Sequence, residues 1–358
     1  MIDKKNTLTR QPGKRKKMLL TICLILALIL LLATVTFYFW GSKSLLPPEK
    51  LSEIIEYAKT NLDSKEKTQT VFTVMTCNIG YLSGMSNNRP VREKKTFFNS
   101  NMESFIQTLN EVKPDFIGFQ EIDFHSNRSY FVDQLKEIAE KGNFQYGAKA
   151  VNWDKRYVPF PFGLPSVHFG EIQSGQAVLS RYPILSSDRI AFEKPSNNFS
   201  IYNAFYLDRL AQVVKIRIGI QPIVIINIHL EAFNTKTREC QAMEVLKIYH
   251  SYCENYPVLI IGDFNSVPPD AYAKKDFVDE PETDYSKDST LSYFLNEKTL
   301  NLAEREYLTF PADHPTRKLD YVFYNHEKIK LEKVFTLSSR SSDHFPLVMR
   351  FTFKEESK

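Results

Sequence analysis

Cysteine is scarce in these 358 residues, and the signature motifs of several enzyme classes are absent. The four cysteines, Cys23, Cys77, Cys240 and Cys253, show no zinc-ligand spacing. Cys23 falls in an apolar run, so an odd three remain and no disulfide framework is implied. Cys240 and Cys253 share one expected helix, about three and a half turns apart, too far to bridge. No GxGxxG, P-loop or GxSxG sequence occurs, and no internal repeat. A basic run is also missing outside the N-terminus. The formal charge is +4, yet residues 1–17 alone hold Lys4, Lys5, Arg10, Lys14, Arg15, Lys16 and Lys17 against Asp3. The remainder is slightly acidic, so the basic isoelectric point carries no argument for nucleic acid.

What is present begins with Met18–Trp40, an uncharged run whose only polar aliphatic residues are Thr21, Thr34 and Thr36. Its length suffices to span a bilayer, for which about 20 apolar residues are needed. It closes on Phe37-Tyr38-Phe39-Trp40, an aromatic belt. The positive-inside rule puts the basic tail in the cytoplasm and the rest on the other side. The run is too long for a typical signal-peptide core and has no small-x-small cleavage site, so a retained signal anchor is expected. The chain thus divides into a cytoplasmic tail (1–17), a transmembrane anchor (18–40), a linker (41–70) and a folded domain (71–358). The linker carries Pro47-Pro48 and is expected to form a polar helix from Glu49 to Asn61.

Within the domain, apolar strand-like runs keep closing on polar residues. Val71–Cys77 closes on Asn78, and Phe116–Gln120 on Glu121. Ile223–Leu230 carries His229 near its end. Val258–Ile261 leads through Gly262 into Asp263 and Asn265, two residues apart and so facing one side of an extended chain. Leu319–Tyr324 starts with Asp320, and Asp343-His344 precedes the last strand. Each has an ordinary reading: a turn asparagine, a core histidine, an Asp-Gly turn. Together they gather acids, amides and histidines at one end of a sheet system. Two carboxylates suit a hard divalent ion with its waters, and histidines with partnered acids suit proton movement. Helices are expected over 101–112, 128–141 and 236–253. Residues 152–170, rich in proline and aromatics, fit no regular element. They read either as a packed insertion or as an apolar rim, with Trp153, around a site for a greasy substrate.

The motifs TCNIG, GFQEID, GQAVLSRYP, NIHLE, IGDFN, KLDYVF and SDHFP occur in that order from Val71 to Phe353. In this the chain resembles the endonuclease/exonuclease/phosphatase superfamily. The resemblance implies an α/β fold, a four-layer αββα sandwich of two mixed sheets, here preceded by one transmembrane helix. It implies Mg²⁺, or Mn²⁺, held by Glu121 with Asn78 and supported by Asp343. Asp263 would orient or deprotonate the attacking water, Asn265 and His229 would hold phosphoryl oxygens, and Asp320 would fix the tautomer of His344. Either the aspartate or the histidine serves as the general base in such a family. Gln176, where some relatives place another polar residue, together with Arg209, His314 and Arg317, are further candidate substrate contacts. Asp208 beside Arg209 reads equally as a strand-start ion pair. No acid partner for His229 can be identified.

The expected activity is hydrolysis of a phosphodiester or phosphomonoester, such as a lipid head group, by in-line attack of activated water. A tethered nuclease is the alternative, though the domain lacks the basic groove that a phosphate backbone calls for. A non-catalytic binding protein on the same fold is the other.

Overall fold

The computed structural model describes residues 12–57 and 70–354, with side chains from Lys14 onward. Lys4, Lys5 and Arg10 of the basic tail lie outside the described residues, as does the far end of the helix expected over 49–61.

The helix α1 (Pro12–Gly41) comes first. The strands that follow are β1 (Ser52–Glu56), β2 (Phe72–Asn78), β3 (Phe116–Asp123), β4 (Tyr146–Val158), β5 (Gly170–Ser180) and β6 (Ile184–Ala191). The second half adds β7 (Leu210–Ile218), β8 (Gln221–His229), β9 (Val258–Asp263), β10 (Leu300–Leu302), β11 (Asp320–Asn325), β12 (Ile329–Thr336) and β13 (Leu347–Phe353). Between them lie α2 (Lys95–Val112), α3 (Gln134–Gly142), α4 (Ser200–Phe205), α5 (Thr235–His250) and α6 (Thr290–Leu295).

The strands form a seven-stranded sheet, β1-β4-β5-β3-β2-β13-β12, and a six-stranded sheet, β10-β11-β9-β8-β7-β6. Both are mixed: β2 runs parallel to β3, and β8 parallel to β9. Apolar residues from both sheets, among them Val74, Phe116, Val178, Ile225, Leu259 and Val322, fill the space between them. On the outer faces, α2 and α3 pack through Phe105, Leu109 and Ile138 against one sheet, and α5 and α6 through Val245, Tyr249 and Phe294 against the other. This is the expected αββα sandwich. The sheets approach closely at Gly118, where an added Cβ would lie 2.5 Å from Ile261 Cδ1. Beside it the Asn227 amide donates to Phe119 O and Ala177 O across the sheets and accepts from Gln120 Nε2 at 2.6 Å. An unmade bond at such a buried amide costs about 1–3 kcal/mol, so this contact fixes the sheets' relative register.

Several elements differ from the sequence expectation. No helix runs over 49–57. Pro48–Lys50 makes one 3-10 turn, and Ser52–Glu56, expected as linker, pairs with β4 as an edge strand whose Glu53 meets Lys149 at 2.7 Å. The open edge of β4 takes the chain, and strand pairing there overrides the local helical preference. Residues 152–158 continue β4, with register breaks at 151/153 and 155/158 that spoil the alternation in the sequence. Only 159–169 leaves the sheet, with one 3-10 turn at Pro165–Val167. The helix α3 starts at Gln134, where Asp133 accepts the Lys136 N–H as its cap. Arg128 instead sits buried in a 3-10 turn, paired with Asp123 at 2.8 Å. The helix α5 ends at His250, so Cys253 lies beyond it, and all four cysteines are free thiols.

The apolar helix α1 is long and apolar enough to cross a membrane. Its last turn is docked on the domain. Phe37 stacks on Phe205 and meets Tyr157 edge-on at 5.7 Å, and Trp40 lies 5.9 Å from Tyr157. Just beyond, the N–H groups of Leu45 and Leu46 both donate to Asp154 Oδ2, and Lys155 Nζ donates to Ser42 O.

Candidate active site

The pairing register brings three site residues into one row. His229 ends β8 opposite Asp263 at the end of β9, and Asp263 pairs with Asp320 at the start of β11. Gly262 makes the row possible, since a Cβ there would fall 1.9 Å from Ile228 O. The other sheet supplies Asn78 from the tip of β2. It also supplies Glu121, where β3 bulges away from β5 between Phe119 and Ile122 and Glu121 takes φ +53°. A bulge of this kind re-aims a side chain. Asp343 and His344 arrive on the connection into β13. Ser342 Oγ ties that connection down by donating to Asn78 O at 2.7 Å.

Asp263 is central. Its Oδ2 accepts from Asn78 Nδ2 at 3.0 Å and lies 3.6 Å from His229 Nε2 and 3.9 Å from His344 Nε2. Its Oδ1 accepts the Asn265 N–H. Burial pushes the Asp263 carboxyl up to about 7, against the pull of His344. His344 Nδ1 is 2.8 Å from Asp320 Oδ2. Burial disfavours the charged imidazole, but Asp320, Asp263 and Asp343 together outweigh it and hold its pKa up at about 10. His229 is the opposite case: burial and then the charge of Arg209 push it well below its ordinary value.

A second group of oxygens lies beside this row. Asn78 Nδ2 reaches Glu121 Oε1 at 3.2 Å, and Asn87 Nδ2 reaches Asp343 Oδ2 at 3.0 Å and Glu121 Oε2 at 3.4 Å. Burial lifts the Asp343 carboxyl to about 6, with Glu121 adding to the rise and His344 opposing it. The two carboxylates are the hard oxygen donors that Mg²⁺ or Mn²⁺ prefers, and the two amides, which turn Nδ2 to them here, would add oxygens on rotation. Among the described residues the buried Asn87 Oδ1 has no partner, and glycine at 80 keeps clear a space where a Cβ would lie 2.9 Å from Asp343 Oδ1. The residues fit a divalent cation. Asp263, Asp320 and His344 also bring ligand atoms within 4.8 Å of one another. There, however, His344 Nδ1 already faces Asp320 in a short hydrogen bond, the geometry of a proton-handling pair.

Arg209, at the foot of β7, is buried beside the row. Its Nε is 3.8 Å from Glu231 Oε2, and among the described residues its Nε and Nη1 have no hydrogen-bond partner. Glu231 accepts from the Tyr206 hydroxyl at 3.0 Å. Asp208 pairs with Arg189 and Lys194 instead, an ordinary strand-start bridge.

The remaining candidates lie elsewhere. Gln176 is buried between the sheets and donates to Asn227 O. The Arg317 guanidinium is clamped by Asp279 and Glu280 between Phe277 and Phe310, and His314 is exposed on the same loop. The Trp153 indole donates to Phe205 O on the side of the domain that receives α1. Asn265 is at the site, with its Nδ2 turned to Leu230 O. Sequence reasoning gave no weight to Asn87 or Glu231. Asn87 sits in a polar loop with no local signal, whereas Glu231 closes the NIHLE motif, an acid beside an apolar run, and was given no role. Among the described residues no acid meets His229 Nδ1.

Solved structures with this architecture include the human Nocturnin catalytic domain with bound sulfate, 17% identical over 86% of this chain and 100% of that chain, TM-score 0.54. A Bacteroides thetaiotaomicron mannosyl-6-phosphatase is 16% identical over 79% of this chain and 100% of that one, TM-score 0.55. D. rerio TDP2 complexed with single-strand DNA product is 12% identical over 79% and 100%, TM-score 0.53. At such identities the likeness is one of fold. No curated protein sequence matches. A sequence model of the Endonuclease/Exonuclease/phosphatase family matches residues 75–344, a span that runs from β2 to His344 and takes in every residue of the row, and the chain belongs to that family.

Proposed function

We propose that the chain is a membrane-anchored, divalent-metal-dependent hydrolase of phosphate esters, with α1 retained, its N-terminus cytoplasmic and the sandwich on the other side. The observation that carries the hydrolytic reading is the Asp263 carboxylate set between a charged and a neutral histidine. His344, held protonated at neutral pH by Asp320, cannot accept a proton. Asp263, near half-ionised at pH 7, can. Asp263 therefore takes the proton of the attacking water as its oxygen bonds to phosphorus and the bond to the leaving oxygen breaks. His344, through Nε2–H, neutralises phosphoryl charge and returns a proton to the leaving oxygen. Neutral His229 and the Arg209 guanidinium, whose Nε and Nη1 remain free to donate, hold the phosphoryl oxygens, with Asn265 at their edge. A cation held by Glu121, Asp343 and the Asn78 and Asn87 amides would add charge neutralisation at the phosphoryl group.

Support for a retained anchor comes from the docked last turn of α1. Removing α1 would strip Phe37 and Trp40 from Tyr157 and Phe205 and bare an aromatic surface.

The test is release of p-nitrophenol from bis(p-nitrophenyl) phosphate by the detergent-purified full chain, with Mg²⁺ or Mn²⁺ and with chelator. Metal-dependent turnover lost in Asp263→Asn and His344→Ala is expected. Turnover indifferent to chelator, or equal in the variants, would overturn the reading. Plasmid cleavage far exceeding ester turnover would redirect it to a nuclease.

A further inference from the structure

The surface around the docked end of α1 is unusually apolar. Phe162 and Leu164 on the 159–169 loop are 79% and 74% exposed, Phe199 and Ile201 on the α4 segment 86% and 68%, and Phe233 after β8 81%. These three segments are neighbours. Tyr157, at the root of the first, and Phe205, at the end of the second, both pack on Phe37 of α1. The second is tied to the third by Asn234 Nδ2 donating to Asn197 Oδ1 at 3.0 Å. Exposed aromatic and aliphatic side chains in adjoining segments mark a surface that is covered in use.

What covers it is indicated by α1. The aromatic end of a spanning helix lies at the head-group level, so the side chains stacked on it lie there too. Cations collect at the same level: Arg156 sits over the Trp40 ring at 5.9 Å, with Lys155 and Lys43 beside it. Long basic side chains at that depth suit anionic head groups. The opposite end of the sandwich is different. There Ile220 stands on the tight turn between β7 and β8, a whole strand length from His229.

The same surface holds a cavity whose inner wall adjoins Arg209. A cavity of about 220 Å³ lies between Tyr202, Phe233 and Asn197 on the outside and Tyr206 and Glu231 within. Glu231 is the residue that faces Arg209. The cavity exceeds what a bare phosphate needs and has a mixed polar and aromatic lining suited to a head group.

We infer that this face rests in the head-group layer of the bilayer that α1 crosses, and that the site draws its substrate from that layer as a phospholipid-class phosphate ester. The tails stay in the membrane while the phosphate reaches Arg209 and His229. The inference rests on the phosphoesterase reading for its second half only.

The two halves are tested separately on the full chain in nanodiscs of phosphatidylcholine and phosphatidylglycerol. In the first, Phe199→Trp and Ile220→Trp are compared with the parent for fluorescence quenching by lipids brominated near the head group. Quenching of the added tryptophan at 199 but not at 220 is expected. Equal quenching at both, or at neither, would overturn the membrane face, whatever the chemistry. In the second, the triple variant Phe162→Asp, Phe199→Asp, Ile201→Asp is assayed on the bilayer's own phospholipids and on soluble bis(p-nitrophenyl) phosphate. A drop of tenfold or more on the bilayer substrate with soluble turnover unchanged supports the inference. Equal loss on both, no loss on either, or a parent that turns over only the soluble ester would overturn it. A parent inert toward both substrates sinks the hydrolase reading while the quenching result still stands.

Discussion

His229 and His344 look at the same carboxylate oxygen from 3.6 and 3.9 Å. Both are buried, and burial lowers the affinity of each for a proton. They nevertheless end in opposite states. Asp320 lies against one, and Arg209 stands beside the other. Three carboxylates, Asp320 foremost, overcome burial at His344, whereas at His229 burial is itself the larger effect and the charge of Arg209 adds to it. The roles of the two histidines therefore do not come from the histidines. They come from the acids gathered round one ring and from the burial of the other beside Arg209.

The comparison can be broken most severely at the group both histidines face. Asp263→Asn keeps the shape and removes the proton acceptor, and turnover should fall on the order of 10²–10⁴-fold. Steady-state kinetics with a circular-dichroism check of folding measures it, and a loss below tenfold would remove Asp263 as the base. The next break is Asp320→Asn. In the parent, kcat/KM should rise with pH through about 7, as Asp263 ionises, and fall near 10, as His344 loses its proton. Without Asp320 the upper limb should move down toward the ordinary histidine range, and the lower limb should move down by less, because the Asp320 charge adds to the burial that raises the Asp263 carboxyl. An unchanged upper limb would mean that it does not report His344. On the other side, Arg209→Met should cost roughly 10–100-fold in kcat/KM, the size of one lost charged hydrogen bond, with thermal stability largely kept. A collapse of the melting temperature would instead make Arg209 a structural partner of Glu231. The smallest effect should be at Gln176→Met. It should lower stability by about 1–3 kcal/mol by unsatisfying the amide contact between the sheets. Denaturant unfolding should register this while kcat/KM and both limbs stay put.

Much of this site can be read in the chain before folding is considered. Buried strands write themselves as apolar runs, so Asn78, Glu121, His229, Asp263 and Asp320 stand out as interruptions at their ends; sheet register then aligns the last three, and the facing sheet brings up the first two. What cannot be read is where a polar side chain turns once the sheets close. Gln176 lies on a strand as good as any other, yet its amide serves Asn227. Arg317 precedes Asp320 by three residues, yet two acids on another loop hold it. Asn87 reaches Glu121 and Asp343 from a loop whose sequence has no period and no motif. The strand β1 follows two prolines and is half polar, so only the free edge of β4 makes it a strand. In each case the deciding partner is distant in sequence, and local pattern carries no trace of it.

The paired hydrogen bonds from Leu45 and Leu46 to Asp154 have one more consequence. They leave no slack between helix and sandwich. On the proposed topology such a molecule cannot swing out to sample solution or a facing membrane. It searches in two dimensions, and its encounter rate follows the number of substrate molecules per unit area of its own leaflet. Diluting that substrate with inert lipid should slow it at constant bulk concentration, whereas enlarging the sample volume should not.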